Sequence, residues 1–417
     1  MRRHLPLLAR FAALALLAGC SNRERLNPLD PGNPSTRGAP QGFVALAESH
    51  GVLLLWQPTG SASVRGYRIS RRAGAGSFES IADLAAGADN YLDSGLTNGV
   101  DYTYHIAFLL LEGGVGLPAE DVATPGPALP WVVEYGRGSL DRLTADGRRV
   151  AERITGPFEG PADLDVDPVS GRVWVCDQLA GTLVIVPAGG GAPFVVSGLL
   201  EPVSVAVNPV NELAWVCDDL LGAVRSYDPA EPSTPRADVR GLKSPLSVAV
   251  TPLDGSVWVC ERAGDRVRHI AGNGVPLDVS YVLAPSRVAV DSTTRRVWVT
   301  SYERGQLTLL TASGAPADSV TGLGGPIGVA VDPRAGRIWV VDSGANRVLV
   351  YDRDLVEVER FVNLPAPQEV AVERSTGEAW VTLPRRNEVV RLSPTGAVIR
   401  RLGGFAEPYD VAVITRP

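Results

Sequence analysis

Apolar residues in this chain do not recur at helical spacing. From residue 131 onward they come in short runs that are apolar on both faces and separated by polar turns. Two kinds of run alternate. The first reads Pro-x-x-Val-Ala-Val, most legibly at Pro326-Ile-Gly-Val-Ala-Val331, and its proline recurs at 161, 202, 245, 285, 326, 367 and 408. The second is Trp-Val followed by a turn, with Trp at 131, 174, 215, 258, 298, 339 and 380. Runs rich in Val with both faces apolar predict strands buried between two neighbouring sheets. Proline at the first residue of a strand costs little, because its missing N–H falls before the ladder begins. Segments such as Asp342-Ser-Gly-Ala-Asn-Arg-Val-Leu-Val-Tyr-Asp352 then predict a turn and a third strand, and residues 357–362 a more variable fourth.

Neighbouring tryptophans are 43, 41, 43, 40, 41 and 41 residues apart. A period of this size built from four short strands predicts the blades of a β-propeller. Each half of the unit occurs seven times, but out of phase: the region opens with a Trp-Val half and ends with a Pro-x-x-Val-Ala-Val half. One blade must then be assembled from both ends of residues 131–417, which closes the ring and removes open sheet edges. The expectation is an all-β chain ending in a seven-bladed propeller.

The region before residue 131 has other patterns. In residues 1–19, Arg2, Arg3 and Arg10 precede an apolar run, 11–18, too short to span a bilayer, which predicts a targeting leader. The run ends in Leu17-Ala18-Gly19-Cys20, which resembles a bacterial lipoprotein signal. The resemblance implies lipidation at Cys20 and, with Ser21 rather than Asp next, the outer membrane, on its periplasmic or cell-surface face. Residues 20–40 are polar and broken by Pro28, Pro31, Pro34 and Pro40, as expected of a tether. Residues 41–125 alternate apolar and polar positions in short strands without the repeat, predicting a β-sandwich. Trp56, Tyr67, Tyr91, Asp93, Leu96 and Tyr102 make it resemble a fibronectin type III domain, with Tyr102 as the tyrosine corner. No Arg-Gly-Asp tripeptide is present, so a spacer or docking module is expected. Residues 126–130 read as a stiff linker into the first Trp-Val strand.

Composition changes this picture little. With 45 Gly, 33 Pro and 20% charged residues, the chain suits a turn-rich exported protein. The net charge is −7, and without the three leader arginines it is −10. An acidic chain with no basic cluster argues against nucleic acid as a partner.

The repeating unit resembles the NHL and YVTN repeats, best over residues 329–352. That resemblance implies a propeller of a kind that includes protein-binding and RNA-binding modules, lactonases and lyases, and the repeat itself selects none of them.

Cys176, Cys217 and Cys260 stand at equivalent places, two residues after their tryptophans. Stacked sheets lie on the order of 10 Å apart, too far for a bridge, so buried thiols are expected. Glu134, Asp177, Asp218, Glu261 and Asp342 follow Trp-Val where the second strand turns, and are expected to accept N–H groups of that turn. The position two residues after each proline is polar and varied: Asp163, Ser204, Ser247, Arg287, Gly328, Glu369 and Asp410. It begins each innermost strand, so these residues are expected at the channel mouth as ligand-binding groups. Asp163, Glu369 and Asp410 start adjacent strands and would suit a hard cation such as Ca²⁺, resembling the channel-mouth ligands of the related lactonases. Catalytic residues are not apparent. His269 lies in a third-strand segment, and no His is placed for a Ser–His–Asp arrangement. The expected function is a non-catalytic binding or scaffold module holding a protein or carbohydrate ligand in the envelope, with a metal-dependent lactonase- or lyase-like enzyme as the alternative.

Overall fold

In a computed structural model, residues 29–30, 32–33, 36–127, 129–188 and 191–414 are described. The leader, Cys20 and most of the proline-broken tether lie outside them. Among the described residues no helix is long and apolar enough to cross a membrane, and regular structure is almost entirely strand.

The chain divides into two compact units. The first contains Trp56–Asp89 and Tyr102–Val122. Its four-stranded sheet runs in the order Glu79–Ala85, Val64–Ala73, Tyr102–Leu110, Val115–Ala123. Trp56 and Tyr67 pack there with ring centroids 5.4 Å apart, and Phe108 lies 5.8 Å from Tyr67. The second unit holds Val44–Leu55, Asn90–Asp101 and everything from Ala123. The compact units thus group two segments of the expected 41–125 domain with the residues that follow it. Leu46 and Leu55 share a buried cluster with Leu253, which accounts for the assignment of their segment to the second unit.

Among the described residues from Leu129 onward, the strands form seven four-stranded antiparallel sheets. Sheets one to six take residues 161–196, 202–240, 245–281, 287–321, 326–362 and 370–403. Sheet seven joins Pro408–Ile414 to Leu129–Glu134, with Val411 opposite Val132 and Ala412 opposite Trp131. The half-unit phase offset is thus realised as a pairing of the two ends. Each inner strand packs beside that of the next sheet, and Pro408–Ile414 packs beside Pro161–Val166.

Two-sided apolarity has a direct structural cause. Trp174 and Cys176 face sheet two and bury against Val205, Val207 and Val216. Val173 and Val175 face the other way, against Trp131 of sheet seven. The same division repeats around the ring to Trp380, which packs on Val132 and Val411. Truncating one such tryptophan would cost roughly 3–5 kcal/mol.

Candidate functional site

The site begins with a small irregularity. In sheets one, two, three and seven, the inner strand bulges between its opening proline and the residue two further on. Pro161 opposes Asp177, while Asp163 opposes Cys176. A bulge re-aims the side chain that follows it, here toward the neighbouring sheet. Asp163 accepts the Val205 N–H at 2.7 Å, and Asp410 the Leu164 N–H at 2.8 Å. Ser204 and Ser247 accept from Val248 and Val288, both at 3.3 Å. Four of the residues expected to await a ligand thus tie each sheet to the next.

Sheets four, five and six depart from this rule together. Their residues at the same position are Arg287, Gly328 and Glu369. Arg287 donates from Nε to Glu369 Oε2 at 2.9 Å and from Nη1 to the Leu246 carbonyl at 3.1 Å, and its Nη2 lies 3.4 Å from Asp163 Oδ1. Gly328 leaves the room this needs, since a Cβ there would lie 2.5 Å from Glu369 Oε1. The inter-sheet tie is taken over by two threonines at the cysteine-equivalent position. Thr300 accepts the Arg287 N–H at 3.2 Å and donates to the Ile327 carbonyl at 2.8 Å. Thr382 does the same between Glu369 N–H and the Tyr409 carbonyl, at 3.1 and 3.0 Å.

Burial dominates the electrostatics. It raises the Asp163 carboxyl to about 7, against the opposing pull of Arg287 and the Val205 N–H. Asp410 is pushed well up by burial, then by Asp163 and Glu369. Burial works against the charge on Arg287, but Glu369, Asp163 and Asp410 outweigh it and hold the guanidinium above its ordinary value. The residues expected as a Ca²⁺ ligand set, Asp163, Glu369 and Asp410, are already engaged in this geometry. Asp163 and Asp410 each spend an oxygen on a backbone N–H, Glu369 is turned onto Arg287, and the balancing positive charge is the guanidinium. Among the described residues no group of three His, Cys, Asp or Glu is arranged to hold a metal.

Above Arg287 lies a cavity of about 590 Å³. Its lining includes the residue just after the repeating acid in four sheets, Gln178, Asp219, Arg262 and Ser343, together with Tyr302, which follows Ser301, and Tyr409. This ring was missed in the sequence, although its signal, variation immediately after a repeated acid, was present. Below, the Val-Ala-Val residues of all seven sheets line a second cavity of about 380 Å³. Asp165, which stands where the other sheets carry Ala, was also missed. It accepts the Val207 N–H at 2.8 Å, and burial raises it to about 6.

The repeating acids are all buried, but only Asp177 and Asp218 accept an N–H of their own turn, the role expected of all five. Asp177 accepts N–H groups from Ala180 in its own turn and from Glu159 and Gly160 in the connector before the inner strand. Asp218 repeats this with Leu221, Leu200 and Glu201. Glu261 accepts from Lys243 and pairs with Arg266 and Arg268. Glu134 bonds the Ala406 N–H and pairs with Arg137 and Arg153, and Asp342 pairs with Arg347. Cys176, Cys217 and Cys260 are free and buried. His269 stacks on Trp258, centroids 3.9 Å apart, with Nε2 2.9 Å from Ser256 Oγ, on the third strand of sheet three.

Residues 323–351 match the NHL repeat family. No curated protein matches the chain. Among solved structures, a functionally unknown protein from Desulfotomaculum acetoxidans superposes with TM-score 0.59 at 16% identity, covering 69% of this chain and 99% of that one. Virginiamycin B lyase from Staphylococcus aureus gives 0.53 at 15% identity, covering 59% and 84%. The Cps50 (Swd1) β-propeller domain of Myceliophteria thermophila gives 0.53 at 12%, covering 61% and 89%. Identities this low speak to architecture alone. With the sheets described above, they make this chain a β-propeller in which residues 323–351 match the NHL repeat.

Proposed function

We propose that the chain is a lipid-anchored envelope protein whose seven-bladed propeller binds a ligand at the channel mouth without catalysis, and whose residues 41–125 form a fibronectin type III-like spacer. The observation that carries the binding reading is the joint departure of sheets four, five and six. A scaffold needs only the short acceptor of the other sheets, yet here Arg287, Gly328, Glu369, Thr300 and Thr382 change together beneath a cavity. Against catalysis stand His269 on a third strand and acids already bonded to backbone and guanidinium. Anchoring rests on the leader and Cys20.

The test is a thermal-shift screen of small molecules and peptides, run on the wild type and on a rim variant of two cavity-lining residues, Tyr302→Ala with Arg385→Ala, with product analysis of each hit. Stabilisation that the rim variant loses, without turnover, is the expected result. Turnover of a hit, or hits indifferent to the rim, would reject the reading. For the anchor, Cys20→Ala is expected to abolish membrane association, and an unchanged membrane fraction would refute it.

A further inference from the structure

The backbone around the mouth is already committed. The connector and turn amides of sheets one and two bond to Asp177 and Asp218. Others are taken by carbonyls, as Arg262 N–H by Ser244 and Ser343 N–H by Gly325. A ligand cannot add itself to a strand there, as an extended peptide does at a free sheet edge. Recognition falls to side chains.

Those side chains have a definite pattern. Arg287 lines the cavity but is paired with Glu369 and Asp163; the other charged groups of its lining are Asp219, Arg262, Glu303 and Arg385, from sheets two, three, four and six in turn. Their signs alternate around the opening and cancel, and among the described residues none of the four is in an ion pair. The rings of Tyr302 and Tyr409 line the same space. A cancelling rim gives no net attraction to an ion. It does offer acceptors and donors in alternation at close quarters, in a cavity within the range of small-molecule sites. Carboxylates only accept and guanidiniums only donate. A ligand suited to both, repeatedly and without charge, carries hydroxyl groups, each able to donate and accept. Tyrosine rings supply flat apolar faces for the C–H surfaces between those hydroxyls.

From this we infer that the mouth takes a neutral saccharide of a few units. The inference rests on the proposal that the mouth is a binding site, and narrows it to a ligand class.

Calorimetry on the full chain with maltotriose and chitotriose tests it, with trigalacturonate and triglycine as charged and peptide comparators. At least one neutral sugar is expected to bind, and more tightly than either comparator. Arg385→Ala and Tyr302→Ala, both at the rim, are each expected to weaken it by roughly tenfold, while Asp219→Asn, which keeps an acceptor, weakens it less. Unchanged melting of each variant shows that the fold is intact. Failure of both neutral sugars, tighter binding of trigalacturonate, or indifference to the rim variants would overturn the inference. Binding of triglycine alone, lost in the same variants, would overturn the saccharide while leaving the mouth as a binding site. If no member of the broader thermal-shift screen depends on the rim either, both fall.

Discussion

Arg287 and Glu369 pair at 2.9 Å although they start inner strands two sheets apart. The sheet between them contributes Gly328, and the absence of its side chain is what lets Glu369 turn toward the guanidinium. Three neighbouring repeats have diverged in concert, each change making sense only beside the other two.

Gly328→Ala should therefore lower stability through Glu369 rather than through its own backbone. The new methyl would meet Glu369 Oε1 at 2.5 Å and the Gln368 carbonyl at 3.0 Å. Crowding of this kind costs roughly 1–3 kcal/mol. In a Glu369→Ala background the cost should shrink, as coupled neighbours require. Equal costs in both backgrounds, measured by urea unfolding, would show that the pair does not depend on Gly328.

Removing the guanidinium should have a pH-dependent effect. Asp163 titrates near 7 in the folded protein against 3.8 in the reference state. Its folded form binds more protons in between, so its contribution is most favourable below about 4 and is lost as pH rises through 7. Arg287→Met removes the charge that opposes this rise, and leaves the acids unpaired at a cost of about 3–5 kcal/mol at neutral pH. The deficit should be larger at pH 8 than at pH 5. A deficit that does not vary with pH would mean that the acids ionise freely.

The three thiols should be inert in the folded state. Cys176, Cys217 and Cys260 are buried, and burial pushes each thiol up, which suppresses the reactive thiolate. A maleimide should label none natively and all three in denaturant. Native labelling of any one would contradict its position between sheets.

Truncation after Glu407 should abolish cooperative melting. It removes Pro408–Ile414, whose pairing with Leu129–Glu134 completes sheet seven and covers Trp380 and Leu164. Removing only residues 416–417 should change little. An unaltered transition in the longer truncation would show that the ring does not need this strand.

Much of this was legible because the repeat states it. Trp-Val and Val-Ala-Val reported two buried faces, and their phase offset reported the closure between Leu129–Glu134 and Pro408–Ile414. At the mouth, the linear pattern could not show which polar groups are already engaged. Asp163 and Asp410 look like free ligands in a linear sequence, but a bulge turns each toward the N–H of the next sheet. Arg287 was expected at the mouth, yet its contact with Glu369 depends on Gly328, a residue whose contribution is empty space. Thr300 and Thr382 carried a readable signal, since they stand where sheets one to three carry cysteine, in the two sheets whose mouth residues are Arg287 and Glu369. Residues 44–55 could not be assigned from their alternation, which records that a face is covered and not by what.

Pairing the beginning of the ring with its end also sets an order in time. Leu129–Glu134 leaves the ribosome long before Pro408–Ile414 is made. At ordinary rates of synthesis that interval is on the order of tens of seconds. Throughout it the Trp131 strand has one ladder edge bare while the sheets between accumulate behind it. The chain must therefore protect or postpone that edge during biogenesis, and a premature partner there would trap a ring that can never shut.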